Sequence, residues 1–459
     1  MSDVVLDRLL ETVFGLLTHN GGPRRRARTL TSAALAAVLL LAGCGSGDGG
    51  VVLRFYTPAD GADQYAQAAA ECTQAAGGRY RIEQRTLPRQ ADDQRLQLAR
   101  RIVGGDETID LLGMDVTWTA EFAEAGWIRP FPPDAAADVR EGTLKAAYDT
   151  GVWQGQLYAA PLNTNTQLLW YRKDLVPDGK PPGTWDELIN VATGLAVQNR
   201  PSWIEVQGSQ YEGLTVWFNT LLTSAGGQIL AEDGTVTVGQ GDAAERALTV
   251  MRRVATAPGA DPSLSQRDEG GTRLAMESGR ATFMVNYPFV LPGIERNGGG
   301  AFLDDNGNLT TQDTGRRVQD VFGWAPYPAV APGQPASVTI GGLNLAVSAT
   351  SRYPEQAVDA VQCLRNRENQ LRNAVDAGVP PTLEALYADP AFQKEYPAWQ
   401  AIKQSLDTAS VRPKSPAYQN ISIVISALLN PPAEIDPTRT GDELVGEVQR
   451  AVNSEGLVP

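Results

Sequence analysis

Val51-Val52-Leu53-Arg54-Phe55-Tyr56, halted by Thr57-Pro58, is a β-branched and apolar run that reads as a strand, and the alternation of elements after it decides the fold. A helical stretch from about Ala62 to Ala76 ends at Gly77-Gly78, a fitting C-terminal stop. Tyr80–Leu87 reads as a second strand. Gln94–Val103 is a second helix closed by Gly104-Gly105, and Ile109–Gly113 is a third strand. Strand, helix, strand, helix, strand implies parallel strands covered by helices, because parallel neighbours need a crossover long enough to hold a helix. The chain has 459 residues and no internal repeat. That exceeds a typical domain of about 100–150 residues, so two lobes are expected.

Upstream of this body, a basic cluster (Arg24, Arg25, Arg26, Arg28) precedes a ten-residue apolar run from Ala33 to Ala42. The run is too short for a membrane-spanning helix of about 20 apolar residues and has the layout of an export signal. Leu41-Ala42-Gly43-Cys44 resembles the cleavage box of bacterial lipoproteins, which implies that Cys44 is lipidated and becomes the mature N-terminus. Gly45-Ser46-Gly47-Asp48-Gly49-Gly50 is a flexible spacer of the kind a tethered domain needs. Residues 1–43 are thus expected to be a signal peptide and residues 44–50 a lipidated tether. Residues 1–23 carry apolar positions at helical spacing (Leu6, Leu9, Leu10, Val13, Phe14, Leu17) and read as a start codon assigned too far upstream. The mature protein is expected on the outer face of the cytoplasmic membrane, held by lipid.

Cleavage leaves 459 − 43 = 416 residues. The removed part carries five arginines and three acids, so the formal charge moves from −14 to −16. Phosphate neutralisation needs clustered Lys and Arg, so a nucleic-acid partner is not expected. The single histidine, His19, also lies in the removed part, which excludes a Ser-His-Asp triad, a Cys-His pair and any imidazole metal ligand. Two cysteines remain, Cys72 and Cys363. In an oxidising exported compartment an even pair reads as a disulfide, here tying an early helix to a late one. The polar segment from Asn297 to Arg317 is not a calcium loop, because counting back from Gly307 places Phe302 where a carboxylate is required. Glu232-Asp233-Gly234-Thr235 is a hairpin turn.

From Leu157 the sequence becomes more specific. Leu157-Tyr158-Ala159-Ala160-Pro161 leads to Gln167-Leu168-Leu169-Trp170-Tyr171-Arg172-Lys173-Asp174-Leu175 and on to Thr184-Trp185-Asp186-Glu187-Leu188. A second block is Ala275-Met276-Glu277-Ser278-Gly279-Arg280-Ala281-Thr282-Phe283-Met284-Val285-Asn286-Tyr287-Pro288-Phe289. A third runs from Ala325-Pro326-Tyr327-Pro328 through Gly341-Gly342-Leu343-Asn344-Leu345-Ala346-Val347. Together they resemble the extracellular sugar-binding proteins of the maltose-binding type (family 1). Five stretches are similar to trehalose-binding lipoproteins of actinobacterial ABC importers: FYTPADG (Phe55–Gly61), MDVTWTAEFAEAGW (Met114–Trp127), NTNTQLLWYRKDLV (Asn163–Val176), VWFNTLLTSAGG (Val216–Gly227) and PYPAVAPGQPASVTIGGLNLAV (Pro326–Val347).

The resemblance implies a two-lobe α/β fold of the periplasmic-binding-protein type (type II), each lobe a mostly parallel sheet flanked by helices. Residues 51–161 with 326–370 would form one lobe, and 162–325 with 371–459 the other. Crossovers near Pro161–Asn165 and Trp324–Pro328 would act as hinges, with sugar favouring the closed state. It also implies a monomer when free, with no cofactor. The disaccharide, trehalose or a related sugar, would pass to ABC permease subunits driven by an ATPase.

Sugar hydroxyls need directional donors and acceptors, while the C–H faces of the ring lie well on aromatic side chains. Carrying the resemblance over, Asp60 and Asp115 lie after the first and third strands, where carboxyl ends open into a crevice, and would accept hydroxyl hydrogen bonds. Asn165 would donate and accept. Glu269, Tyr287 and Phe289 would come from the second lobe, Gly342 and Leu343 would approach through backbone and packing, and Arg412 would close over ring oxygens. Tyr287 stands where tryptophan is expected, so it offers less stacking area and an added hydroxyl. Each residue has a plainer reading: Asp60 a turn or cap, Asp115 the cap of a helix near Thr117, Tyr287 and Phe289 core, Arg412 a surface charge. Two readings compete with trehalose capture. One is a binding protein for maltose or a glycerol-linked sugar, and the other is a glycoside hydrolase using Asp115 and Glu269 as its acid and base.

Overall fold

The strand at Val51 buries Leu53 and Phe55 completely and runs as β1 (Val51–Thr57) beside β2 (Tyr80–Thr86), parallel, with Val51 opposite Tyr80. On its other edge β3 (Leu111–Asp115) is also parallel, with Phe55 opposite Leu111. The structure is a computed structural model that describes residues 50–59, 61–297, 302–303, 309–310 and 318–454; the expected signal segment, Cys44 and Asp60 lie outside these. The third strand starts two residues later than expected. At Asp110, just before it, the carboxylate accepts from the Arg54 backbone N–H at 2.9 Å, and from Ser351 Oγ at 2.6 Å. The second helix starts earlier, at Ala91, because Asp92 and Asp93 place negative charge in its first turn.

A small hairpin, β4 (Val152–Trp153) and β5 (Gln156–Leu157), precedes β6 (Ala159–Asn165). Only Thr166 and Gln167 separate β6 from β7 (Leu168–Arg172), which belongs to a different sheet. Next come β8 (Trp203–Glu205), β9 (Ala281–Asn286), the short β10 (Phe302–Leu303) and β11 (Leu309–Thr310), β12 (Phe322–Ala325) and β13 (Gly341–Val347). The first sheet has the order β2-β1-β3-β13-β6 and the second β12-β7-β9-β8.

The expectation of mostly parallel sheets needs correction, for both are mixed. β13 is antiparallel to β3 and to β6, and β7 is antiparallel to β12 and β9, while β8 and β9 are parallel. The βαβ units make β1 to β3 parallel. β13 instead returns from the other sheet and enters the first from the opposite end.

Alternation along the strands explains the layers. Leu111 and Leu345 point into one cluster and Leu112 and Ala346 into another, on opposite faces of the first sheet. Leu169 and Tyr171 join the Trp185–Trp217–Phe218 core on one face of the second sheet, while Leu168 and Trp170 join Phe322 and Phe392 on the other. The result is two lobes, each a sheet covered on both faces. Tyr327 meets Trp185 edge-on at 5.6 Å and Val338 is buried with it, so the chain stays with the second core until β13. Cys72 and Cys363 form a disulfide between helices Ala62–Ala75 and Pro354–Leu364, with Cα atoms 5.8 Å apart, as the cysteine count led us to expect. Gly234, at φ 84°, makes the expected turn, across which Leu230 and Val236 pair. Among the described residues no helix is long and apolar enough to cross a membrane.

Candidate functional site

Asp115 is the last residue of β3. Its Oδ1 accepts from the backbone N–H of Thr117 at 2.9 Å and from Thr117 Oγ1 at 2.7 Å, capping the turn Val116–Trp118. The plain capping role is therefore present. The same oxygen also lies 3.4 Å from Arg412 Nη2, so the cap faces the other lobe.

Arg412 precedes the helix Tyr418–Leu429 and is 4 % exposed. Its Nη1 donates to Glu212 Oε1 at 2.5 Å, and Nη2 reaches the Ile340 carbonyl at 3.5 Å. Nε is buried without a hydrogen-bond partner among the described residues. Arg412 is thus no surface charge. Burial works against its ionisation, but Asp115, the Tyr418 phenol, Glu212 and Tyr287 more than offset this and hold its pKa above that of free arginine.

Glu212 opens the helix Glu212–Ser224, where a negative side chain suits the positive end of the helix dipole. It accepts from Tyr418 Oη at 2.6 Å and from Ser422 Oγ, two groups four residues apart on one helix face. Burial raises its pKa, the Asp115 charge adds to this, and Arg412, Ser422 and Tyr418 oppose it. Tyr211 precedes it in extended conformation, with its ring over Gly213. A Cβ there would come within 2.3 Å of that ring, so glycine is required for the close approach.

Glu269 begins the helix Glu269–Glu277, whose cap is Asp268 accepting from the Gly271 backbone N–H at 2.7 Å. Tyr287 follows β9 directly. Burial pushes the phenols of Tyr211 and Tyr287 above their ordinary pKa, and the Glu269 carboxylate pushes both further. The Tyr287 phenol also feels Arg412, Asp115 and Glu212. Asp115, Glu269, Tyr287 and Arg412 are therefore brought into one electrostatic neighbourhood, drawn from both lobes. Glu212, Tyr211 and Tyr418 complete it, and the sequence reading passed over all three. The available signal was Tyr211-Glu212-Gly213, a carboxylate at the head of an otherwise uncharged helix. A second contact spans the lobes: Gln419 Nε2 donates to Asp92 Oδ1 at 2.9 Å.

Asn165, Gly342, Leu343 and Phe289 make local contacts. Asn165 is half-buried at the end of β6, opposite Gly341, and its Oδ1 accepts from the Thr166 backbone N–H at 3.2 Å. Gly342, at φ 137°, sits where a Cβ would come within 2.3 Å of the Asn163 carbonyl, so strand contact explains this glycine. Leu343 pairs with Asp115 in register, but its side chain packs in the first lobe's core. Phe289 is half-buried against the Leu168–Trp170 cluster. Asp60 is outside the described residues.

Chemically, the neighbourhood offers carboxylate acceptors, a guanidinium donor and phenols that provide both a ring face and a hydroxyl. Such groups suit a neutral polyol. Among the described residues no cluster of three or more His, Cys, Asp or Glu is placed to hold a metal ion.

A profile of the bacterial extracellular solute-binding proteins matches residues 88–371, more than half of the chain. A protein of Deinococcus radiodurans described as a probable ABC transporter-binding protein is 28 % identical over 344 residues, covering 71 % of this chain and 75 % of that one. The maltotriose-binding protein of Pyrococcus abyssi is 24 % identical over 331 residues, 70 % of this chain and 65 % of that one. Among solved structures, maltose-bound MalE3 of T. maritima superposes with a TM-score of 0.75 at 24 % identity, covering 87 % of this chain and 99 % of that one. The GacH receptor of Streptomyces glaucescens gives 0.73 at 21 % identity, covering 88 % and 99 %. These two likenesses carry the fold, the two-lobe architecture of maltose-binding-protein-like structures. The profile match over more than half of its length shows the family: the chain belongs to the bacterial extracellular solute-binding proteins.

Proposed function

We propose that this protein is the sugar receptor of an ABC importer, and that it captures trehalose between its lobes and presents it to the permease. The observation that carries the reading is the pairing of Asp115 from one lobe with Arg412 from the other, which Glu212 also holds, while Tyr287 feels the charges of Glu269, Arg412, Asp115 and Glu212. A sugar seated there exchanges water for charged acceptors and donors from both sides, and each such hydrogen bond is worth about 1.5–3 kcal/mol. The choice of trehalose rests on the five stretches that resemble LpqY, the trehalose-binding lipoprotein of actinobacterial importers. Relatives whose names speak of maltotriose binding and ABC transport support the wider class.

In this reading Asp115, Glu269 and Arg412 bind hydroxyls and Tyr287 offers its face. Asp60 and Asn165 add acceptors, and Phe289, Gly342 and Leu343 shape the walls. Cys44 carries the lipid that keeps the receptor at the outer face of the membrane, near its permease. The protein binds and releases and performs no chemistry. A receptor for another disaccharide is favoured by one observation, tyrosine at position 287, which stacks less area than the expected tryptophan.

Calorimetric titration of the mature protein with trehalose, maltose and glycerol-linked glucose ranks these readings. Trehalose is expected to bind most tightly, because hydroxyl acceptors held in place discriminate by being left unpaired with the wrong sugar. Equal or tighter binding of maltose removes the trehalose assignment, and release of glucose on long incubation revives the hydrolase.

A further inference from the structure

Asn286 is fully buried at the end of β9 and makes contact with the segments of both Glu269 and Tyr287. Its Nδ2 donates to the Glu269 carbonyl at 2.9 Å and to Thr272 Oγ1 at 2.8 Å, while its Oδ1 accepts from the Tyr287 backbone N–H at 2.7 Å. Thr272 Oγ1 in turn donates to the Glu269 carbonyl at 3.0 Å. One side-chain amide therefore ties the start of the Glu269 helix to the strand end that delivers Tyr287. The orientation of the amide is settled by its partners: turned over, it would set NH₂ against an N–H and a carbonyl oxygen against two acceptors.

The strand end is itself anchored. Trp170 Nε1 donates to the Asn286 carbonyl at 3.0 Å, and Asn286 lies opposite Leu168 in the ladder. Upstream of Glu269, Arg267 is anchored to the buried Asp261 carboxylate at 2.6 Å, and Asp261 also accepts from the Ser263 backbone N–H at 2.9 Å. The segment carrying Glu269 is thus held at Arg267 on one side and by the Asn286 amide on the other. The amide meets the two segments at the Glu269 carbonyl, the Thr272 hydroxyl and the Tyr287 backbone N–H, so the tie acts on the segments that carry the Glu269 carboxylate and the Tyr287 ring.

We propose that Asn286 is a positioning residue for the cleft: it sets the spacing between the Glu269 carboxylate and the Tyr287 ring, and through that spacing the preference among disaccharides. This rests on the sugar-binding reading. Ionised aspartate at this position would keep an acceptor for Tyr287, lose both donor contacts on the Glu269 side and add a buried negative charge facing the Glu269 carbonyl, so it breaks that half of the tie at nearly constant volume.

The test is calorimetry of the mature protein against trehalose and maltose, with Asn286→Asp introduced alone and into Glu269→Ala and Asp115→Ala backgrounds. Alone, Asn286→Asp is expected to weaken the better sugar roughly tenfold and to narrow the trehalose-to-maltose ratio. In Glu269→Ala most of that loss should vanish, because the group being positioned is gone, whereas in Asp115→Ala it should persist in full. A purely structural role would lower the melting temperature without this dependence on background. Unchanged affinity and ratio, or equal losses in both backgrounds, overturns the proposal. Should Asn286→Asp fail to fold, Thr272→Val, which removes only the hydroxyl of the tie, takes its place with a smaller loss and the same dependence, and the same two results overturn it. Wild-type protein that binds neither sugar is a separate outcome, which removes the sugar reading and this proposal with it.

Discussion

Arg412 Nη2 stands 3.4 Å from Asp115 Oδ1, and this pair links the end of a first-lobe strand to the second lobe. The two side chains are 3 % and 26 % exposed, so the pair is largely shielded from water on the arginine side. Arg412 is also held by Glu212, itself 13 % exposed. A charge removed from water in this way is stable only while its partners remain, and losing one partner strands the other.

Glu212→Ala is therefore expected to destabilise the protein by about 3 kcal/mol, in the range for breaking a buried pair from one side. It also strips acceptors from Tyr418 and Ser422. Urea unfolding measures it. A change below about 1 kcal/mol, the usual size for an exposed pair, would show that Arg412 is adequately satisfied without Glu212.

A second buried carboxylate makes stability depend on pH. Glu205 is fully buried near Asp261 and Arg267, and burial, reinforced by the Asp261 charge, pushes its pKa up to about 9. The folded state then keeps this proton where the unfolded chain, with an ordinary glutamate near 4.3, has lost it. The unfolded state binds fewer protons between roughly pH 4.5 and 9, so this group makes stability fall as pH rises through that window. Glu205→Gln, which cannot lose a proton, should flatten the decline and be more stable than wild type at pH 8. Parallel pH profiles for the two proteins would contradict this.

The disulfide joins residues 291 apart in sequence, so it restricts the unfolded chain strongly. Replacing both Cys72 and Cys363 by alanine should lower stability by about 2–5 kcal/mol in denaturant unfolding. Sugar affinity should be unchanged, since neither cysteine is among the cleft residues. An unaltered unfolding midpoint would show that the bond contributes nothing to stability.

Replacing Cys44 by alanine should move the protein from the membrane fraction to the soluble exported fraction while leaving sugar affinity as it was. A lipid on the tether acts on membrane attachment and leaves sugar capture to other residues. Membrane retention of the variant would point to a different anchor.

Local punctuation made much of the fold legible. Gly77-Gly78 and Gly104-Gly105 mark the ends of the first two helices, and the Val51 strand and its two parallel neighbours follow from them. The antiparallel entry of β13 was not legible, because it depends on a long-range return that no local pattern announces. The site divides in the same way. Asp115 and Arg412 are expected at the site through resemblance alone, and the structure shows what holds each in place. Glu212 looks in sequence like an ordinary first-turn acid, and only the folding of Tyr418 and Arg412 onto it reveals a buried hub. Gly342 was expected to approach a ligand, but its nearest constraint is the Asn163 carbonyl. Leu343 shares a register position with Asp115 and still points into the core, a consequence of strand alternation.

The central claim is that a sugar is held between the lobes by groups that include Arg412. Titration calorimetry of the mature protein with trehalose, run beside Arg412→Ala, tests it most directly. The expected result is saturable one-to-one binding by the wild type and a loss of about 1.5–3 kcal/mol, roughly ten- to a hundredfold, in the variant. Wild-type affinity in Arg412→Ala, or no heat of binding in the wild type, would contradict it.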